Sequence, residues 1–161
     1  MRIRTVAALA VPALALACQP ATLNDAHRGA IESEIEQLYT EQAALLSSVD
    51  VDAWLAEFEQ SEDFTYAGNG EVTRGFTAMA EDTRAYFANF ESGEFAWGDL
   101  YIEVLASDAA CVTSTWEWSG ITVAGDTEDA EGTWTVVLRK HDGVWKIAVA
   151  AESYPPTPAM E

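Results

Sequence analysis

Four carboxylates, Asp63, Asp99, Glu117 and Glu152, stand apart from the other acidic residues, because each lies in or beside a strand-like run rich in aromatic side chains. A carboxyl buried among rings resists ionisation and can then take or give a proton, so each is a candidate general acid or base. The bland alternative is a structural hydrogen bond or a polar sheet edge. The six tryptophans, Trp54, Trp97, Trp116, Trp118, Trp134 and Trp145, all fall in or beside elements that should line one pocket. They are either core packing or, with Tyr66, Tyr86 and Phe87, the wall of an apolar ligand pocket. His27 and His141 are far apart and lack metal-ligand spacing, so no metal site is expected. No nucleophile elbow, phosphate loop or dinucleotide fingerprint occurs, and no cofactor is expected. Cys111, in Ala-Ala-Cys-Val-Thr, reads as a small buried hydrophobe with no histidine near enough in sequence to activate it.

The elements that must hold these side chains are legible in the hydrophobic period. Residues 25–47 repeat Ile31, Ile35, Leu38 and Leu45 at helical spacing, with Asn24 or Asp25 as cap. A short helix from Asp50 or Asp52 carries Trp54, Leu55 and Phe58. Residues 63–67 and 71–74 form a hairpin about Asn69-Gly70. A third helix runs from Phe76 to about Phe90. The period then changes to two, giving strands over 94–106, 109–119, 133–140 and 144–152, with an acidic loop at 124–132. Strand 94–106 should place Phe95, Trp97, Tyr101 and Leu105 on one face. Strand 144–152 should place Trp145, Ile147, Val149 and Ala151 together. Helices followed by a run of strands predict an α+β fold. The expected form is a cone-shaped, curved antiparallel sheet wrapped around three N-terminal helices, its open end a pocket.

The chain of 161 residues carries a formal charge of −19. That excludes a phosphate-binding surface, hence nucleic acid, and adsorption to anionic lipid. Arg2 and Arg4 precede an apolar run, Val6 to Ala17, too short to span a bilayer comfortably and laid out like a secretory signal. It ends Ala15-Leu16-Ala17-Cys18. Small residues at 15 and 17 suit ordinary signal peptidase. The same tetrapeptide resembles a bacterial lipobox in which Cys18 is acylated, although Ala15 stands where Leu is usual. A cysteine at the cut site favours the second reading: an exported cell-envelope lipoprotein, attached to the membrane through its lipid alone. Gln19 in place of Asp favours the outer membrane if the source is Gram-negative. The expected organisation is a signal peptide at 1–17, a tether at 18–24, a domain at 25–154 and a flexible tail at 155–161. Without the two leader arginines, six basic residues face 27 acidic ones, a charge of −21.

The element order, with Gly-Asn-Gly-Glu-Val-Thr-Arg-Gly (68–75), Gly-Thr-Trp-Thr-Val-Val-Leu-Arg-Lys (132–140) and Asp-Gly-Val-Trp-Lys-Ile (142–147), resembles the SnoaL-like branch of the nuclear transport factor 2-like superfamily, with its cystatin-like α+β barrel. The likeness covers residues 28–154. It implies a scaffold used by isomerases, cyclases, epoxide hydrolases, dehydratases and non-catalytic binding modules. It also implies a helix-1 tyrosine, matched by Tyr39, and a carboxylate base, for which Asp63 and Asp99 are the nearest candidates. Where many members carry a last-strand histidine this chain has Ala151, with Glu152 expected on the opposite face. The expected pocket takes Tyr39, Trp54 and Phe58 from the first two helices and Tyr66 from the hairpin. Tyr86 and Phe87 come from the third helix, and Trp97, Trp116 and Trp134 from the strands. The reading is a protein that binds a small apolar molecule or a protein partner, with catalysis not evident. The alternatives are an isomerase, cyclase or hydratase using Asp63 or Asp99 with Tyr39 or Tyr66, and a homodimerisation module.

Overall fold

The computed structural model describes residues 23–156; Cys18, the leader and the end of the tail lie outside the described residues. The Asn24 side chain accepts the His27 N–H at 2.9 Å and opens α1, Asp25–Ser47. Ile31, Ile35, Tyr39, Gln42 and Leu46 form its buried stripe. Asp50 caps α2, Val51–Leu55, through the Ala53 N–H at 3.2 Å. The hairpin β1, Thr65–Gly68, and β2, Glu71–Arg74, turns on Asn69 and Gly70, both at positive φ. Helix α3, Phe76–Phe87, follows. It ends earlier than expected, and Phe90 already opens a strand. The remaining strands are β3 (Phe90–Trp97), β4 (Tyr101–Ala106), β5 (Ala109–Thr122), β6 (Thr127–His141) and β7 (Val144–Ser153).

The seven strands form one sheet in the order β2-β1-β7-β6-β5-β3, with β4 beside β3 on the same edge of β5. Helix α1 lies against β3 and β4, α2 against α1 and α3, and α3 beside β2. The sheet is mixed and open, not antiparallel throughout: β1 runs parallel to β7, with Tyr66 opposite Ala150. No short turn joins those two strands, so nothing forces them to alternate.

Three further corrections matter for the site. First, residues 94–106 are two strands. Gly98 to Leu100 interrupts them, and the Gly98 N–H bonds the Thr115 carbonyl at 2.9 Å. The break shifts the alternation by one residue. Phe95 and Trp97 face the core with Ile102 and Val104, while Tyr101 and Leu105 are exposed. Second, most of the acidic loop is strand. Residues 127–132 pair with the far half of β5, Thr127 opposite Ile121 and Gly132 opposite Trp116. Third, β7 contains a bulge. Leu138 pairs with Ile147 but Val137 pairs with Val149, which leaves Ala148 without a partner. Beyond it the faces exchange: Val149 is 37 % exposed and Ala150 0 %.

Candidate functional site

The concave face of the sheet does not close on the helices. Between them is a cavity of about 590 Å³. Its floor is β5 and β6, through Trp116, Trp118, Ala130 and Trp134. β3 adds Phe95 and Trp97, α1 adds Leu46, α2 adds Trp54, and the hairpin adds Tyr66. Helix α3 closes one side with Met79, Thr83, Tyr86 and Phe87. The rings support one another: Trp54 to Trp134 at 6.4 Å, Tyr66 to Trp134 at 6.3 Å, Phe95 stacked on Trp116 at 6.2 Å, and Phe87 edge-on to Trp118 at 5.5 Å. Glycine makes room for two of them. Trp118 lies over the Gly93–Gly120 pair, and Trp116 over Gly132, where any Cβ would overlap the indole.

The polar end is at Glu152. The bulge sets Glu152 opposite Trp134, on the cavity face. Its Oε2 accepts the Tyr66 hydroxyl at 2.7 Å and the Tyr154 hydroxyl at 2.9 Å. Burial pushes this carboxyl above the usual range, and the two phenols pull part of the way back. Burial, and next the Glu152 charge, holds the Tyr66 and Tyr154 hydroxyls far above the ordinary phenol value. They are therefore donors at any working pH. Tyr86 donates to Glu128 at 3.0 Å on the same rim.

Seven of the nine expected wall residues line the cavity: Trp54, Tyr66, Tyr86, Phe87, Trp97, Trp116 and Trp134. Tyr39 and Phe58 do not. Tyr39 packs behind Trp97 at 4.9 Å and Phe58 behind Trp54 at 4.8 Å, so both are core. Neither expected base is in the cavity. Asp63 has a 98 % exposed side chain, 3.9 Å from Arg74. Asp99 is exposed in the break between β3 and β4. Both precede or interrupt a strand, so the sheet does not carry them inward. Glu117 points outward opposite Glu131. Trp145 donates to Glu34 at 2.8 Å, on the surface of α1. Cys111 is half-buried on the outward face of β5, and His141 bonds Glu59 at 2.8 Å. Among the described residues no three His, Cys, Asp or Glu side chains are placed to share a metal ion. Tyr154 lies beyond the expected last strand, and only its contact with Glu152 marks it.

A family model described as "SnoaL-like domain" matches residues 35–157. A search of curated proteins gives no match. Among solved structures, a nuclear transport factor 2-like protein from Salmonella enterica serovar Typhimurium is 17 % identical with TM-score 0.70, covering 83 % of this chain and 96 % of that one. A provisionally assigned scytalone dehydratase from Novosphingobium aromaticivorans is 15 % identical with TM-score 0.72, covering 84 % and 91 %. A type 2 hexachlorocyclohexane dehydrochlorinase is 16 % identical with TM-score 0.65, covering 86 % and 96 %. At these identities the likeness is one of fold.

Proposed function

The chain belongs to the SnoaL-like domain family, and we propose that it is a binding protein whose aromatic cavity takes up one small, largely apolar molecule. The observation that carries this reading is the cavity itself: about 590 Å³, walled by five indoles, with Glu152 and its two phenols on one side and Glu71, Asp82 and Glu128 also lining it. That is the volume and lining of a small-molecule site. The test uses N-phenyl-1-naphthylamine, an uncharged apolar fluorophore. Saturable one-to-one binding that quenches tryptophan emission is expected. Ala130→Phe, which places a ring in the cavity, should abolish it. Absent binding, or binding unchanged in Ala130→Phe, overturns the reading.

A second reading is favoured by one observation. Glu152 is a half-buried carboxylate with two phenol donors, an arrangement suited to proton transfer in an isomerase, cyclase or hydratase. In that reading Glu152 takes the place expected for Asp63 or Asp99. Conversion of a bound compound that stops in Glu152→Gln while binding persists would establish it.

The setting is proposed from the sequence alone. The Arg2–Ala17 leader and Cys18 support an exported protein held at the cell envelope by acylated Cys18. Native protein should take up labelled palmitate and fractionate with membranes. Cys18→Ala should do neither, and a membrane-bound Cys18→Ala would refute the anchor.

A further inference from the structure

Resting on the binding reading above, we propose that the ligand is an organic ammonium ion, a protonated amine or quaternary ammonium on an apolar body.

Charge is the first argument. Every ionisable acid or base that lines the cavity, phenols aside, is a carboxylate: Glu71, Asp82, Glu128 and Glu152. No lysine, arginine or histidine lines it. Among the described residues the cations are committed elsewhere. Arg84 pairs with Asp52, Arg139 and His141 with Glu59, and Lys140 with Glu34. Arg74 lies near Asp63, and Arg28 and Lys146 bond backbone carbonyls. None of the four cavity carboxylates has an ion-pair partner among the described residues. An anionic ligand would meet uncompensated repulsion. A neutral one would further bury the Glu152 charge without neutralising it.

Geometry is the second. Both phenols donate to the same oxygen of Glu152, and Oε1 takes no hydrogen bond among the described residues. One acceptor is therefore left beside the aromatic wall. The indole N–H groups of Trp54, Trp97, Trp116, Trp118 and Trp134 are buried and find no acceptor among the described residues. What these residues offer a ligand is ring carbon. Electron-rich rings around a cation, with a carboxylate at one side, are the physical requirements of ammonium recognition. The carboxylates are not grouped to hold a metal ion, so an inorganic cation does not meet the same description. The chain's net charge of −19 raises the local concentration of any cation near the opening.

The test compares benzyltrimethylammonium with neopentylbenzene, its uncharged carbon isostere, by tryptophan quenching and calorimetry on the purified protein. The ammonium should bind at least about tenfold tighter, and that preference should shrink with added salt. Glu152→Gln should remove most of the preference, weakening the ammonium and, by lifting a half-buried charge, if anything tightening neopentylbenzene. Glu128→Gln, on the rim, should reduce it in the same direction, and it decides the matter if Glu152→Gln does not fold. Equal or tighter binding of neopentylbenzene overturns the ammonium proposal and leaves the apolar-cavity reading standing. An undiminished preference in a folded Glu152→Gln, or in Glu128→Gln where that variant decides, also overturns it. Binding of neither compound overturns both.

Discussion

Glu57→Gln should stabilise this protein at alkaline pH and leave its stability unchanged in acid. Glu57 follows α2 and is half-buried. Burial pushes its carboxyl from an ordinary 4.5 up to about 7; Glu41 pushes the same way, and the Gln42 amide and Lys146 pull against it. The folded state thus holds this proton more tightly than the unfolded chain. Below pH 4.5 both states are protonated and there is no penalty. As pH rises towards 7 the unfolded chain ionises first, and stability falls; above 7 the whole penalty is present. A displacement of that size corresponds to roughly 3 kcal/mol at most. Glu57 keeps part of its surface in water, and screening brings the figure to on the order of 1–2 kcal/mol. The assay is urea unfolding of both proteins at pH 3.5 and pH 8.5. Other carboxylates, Glu152 among them, titrate in the same direction, so the measured quantity is the difference between variant and wild type. A Glu57→Gln protein no more stable than wild type at pH 8.5, or one stabilised equally at both pH values, would refute the reasoning.

Three more outcomes are open to measurement. Glu34 joins α1 to the β6–β7 hairpin, accepting from Lys140 at 2.6 Å and Trp145 at 2.8 Å, and the Lys140 bond, then the Trp145 bond, holds its carboxyl below the usual value. Glu34→Ala should cost about 0.5–1 kcal/mol in urea unfolding at pH 7, and the cost should fade as pH falls below 4.5. Gly132→Ala would set a Cβ 2.6 Å from the Ser153 carbonyl oxygen and 2.8 Å from the Trp116 ring, in paired strands that cannot move apart. It should destabilise by about 1–3 kcal/mol and weaken probe binding in the cavity; thermal unfolding as stable as wild type would contradict the packing. Tyr66→Phe removes one of the two phenols that favour ionised Glu152. The preference for benzyltrimethylammonium over neopentylbenzene, reduced in wild type as pH falls through the Glu152 value, should then fall at a higher pH; an unmoved or lower midpoint would mean that Tyr66 does not tune the carboxyl.

Local chemistry made much of this molecule legible. Asn24 caps α1, Asn69-Gly70 turns the hairpin, and Val112, Ser114, Trp116 and Trp118 alternate inward along β5 as their period requires. Most of the aromatic wall followed, because large rings on the inward face of a curved sheet have nowhere else to go. What stayed hidden depends on partners distant in the chain. Residues 127–132 are acidic and lack a strong apolar alternation, yet they form strand because β5 extends far enough to pair them. Tyr39 and Phe58 are core rather than wall because Trp97 and Trp54 stand in front of them.

Aromatic neighbours mark Glu152 out in the sequence, but the expected alternation puts it on the outer face; its inward turn has one cause, and it decides the chemistry of the site. Counted outward from the Asp142-Gly143 turn without interruption, β7 would set Val149 opposite Val136 and Glu152 opposite Thr133, on the outer face. The bulge at Ala148 instead sets Ala150 opposite Val136 and Glu152 opposite Trp134, on the cavity face. Residues 147–151 are Ile-Ala-Val-Ala-Ala, apolar on both faces, so neither phase is penalised locally and period two cannot choose between them. The edge of β7 supplies a reason for the bulge's position. Up to Ile147 that edge is bonded by residues 57–59, through Ile147 N–H to the Glu57 carbonyl and Glu59 N–H to the Ile147 carbonyl, both at 2.9 Å. From Val149 it is bonded by β1. The unpaired residue falls where one edge partner hands over to the other. Tyr66, brought by the second partner, then meets the carboxylate that the bulge has turned inward. The strand pairing and the polar end of the cavity are therefore one structural event, encoded in the distance between residue 57 and β1 rather than in any pattern along β7.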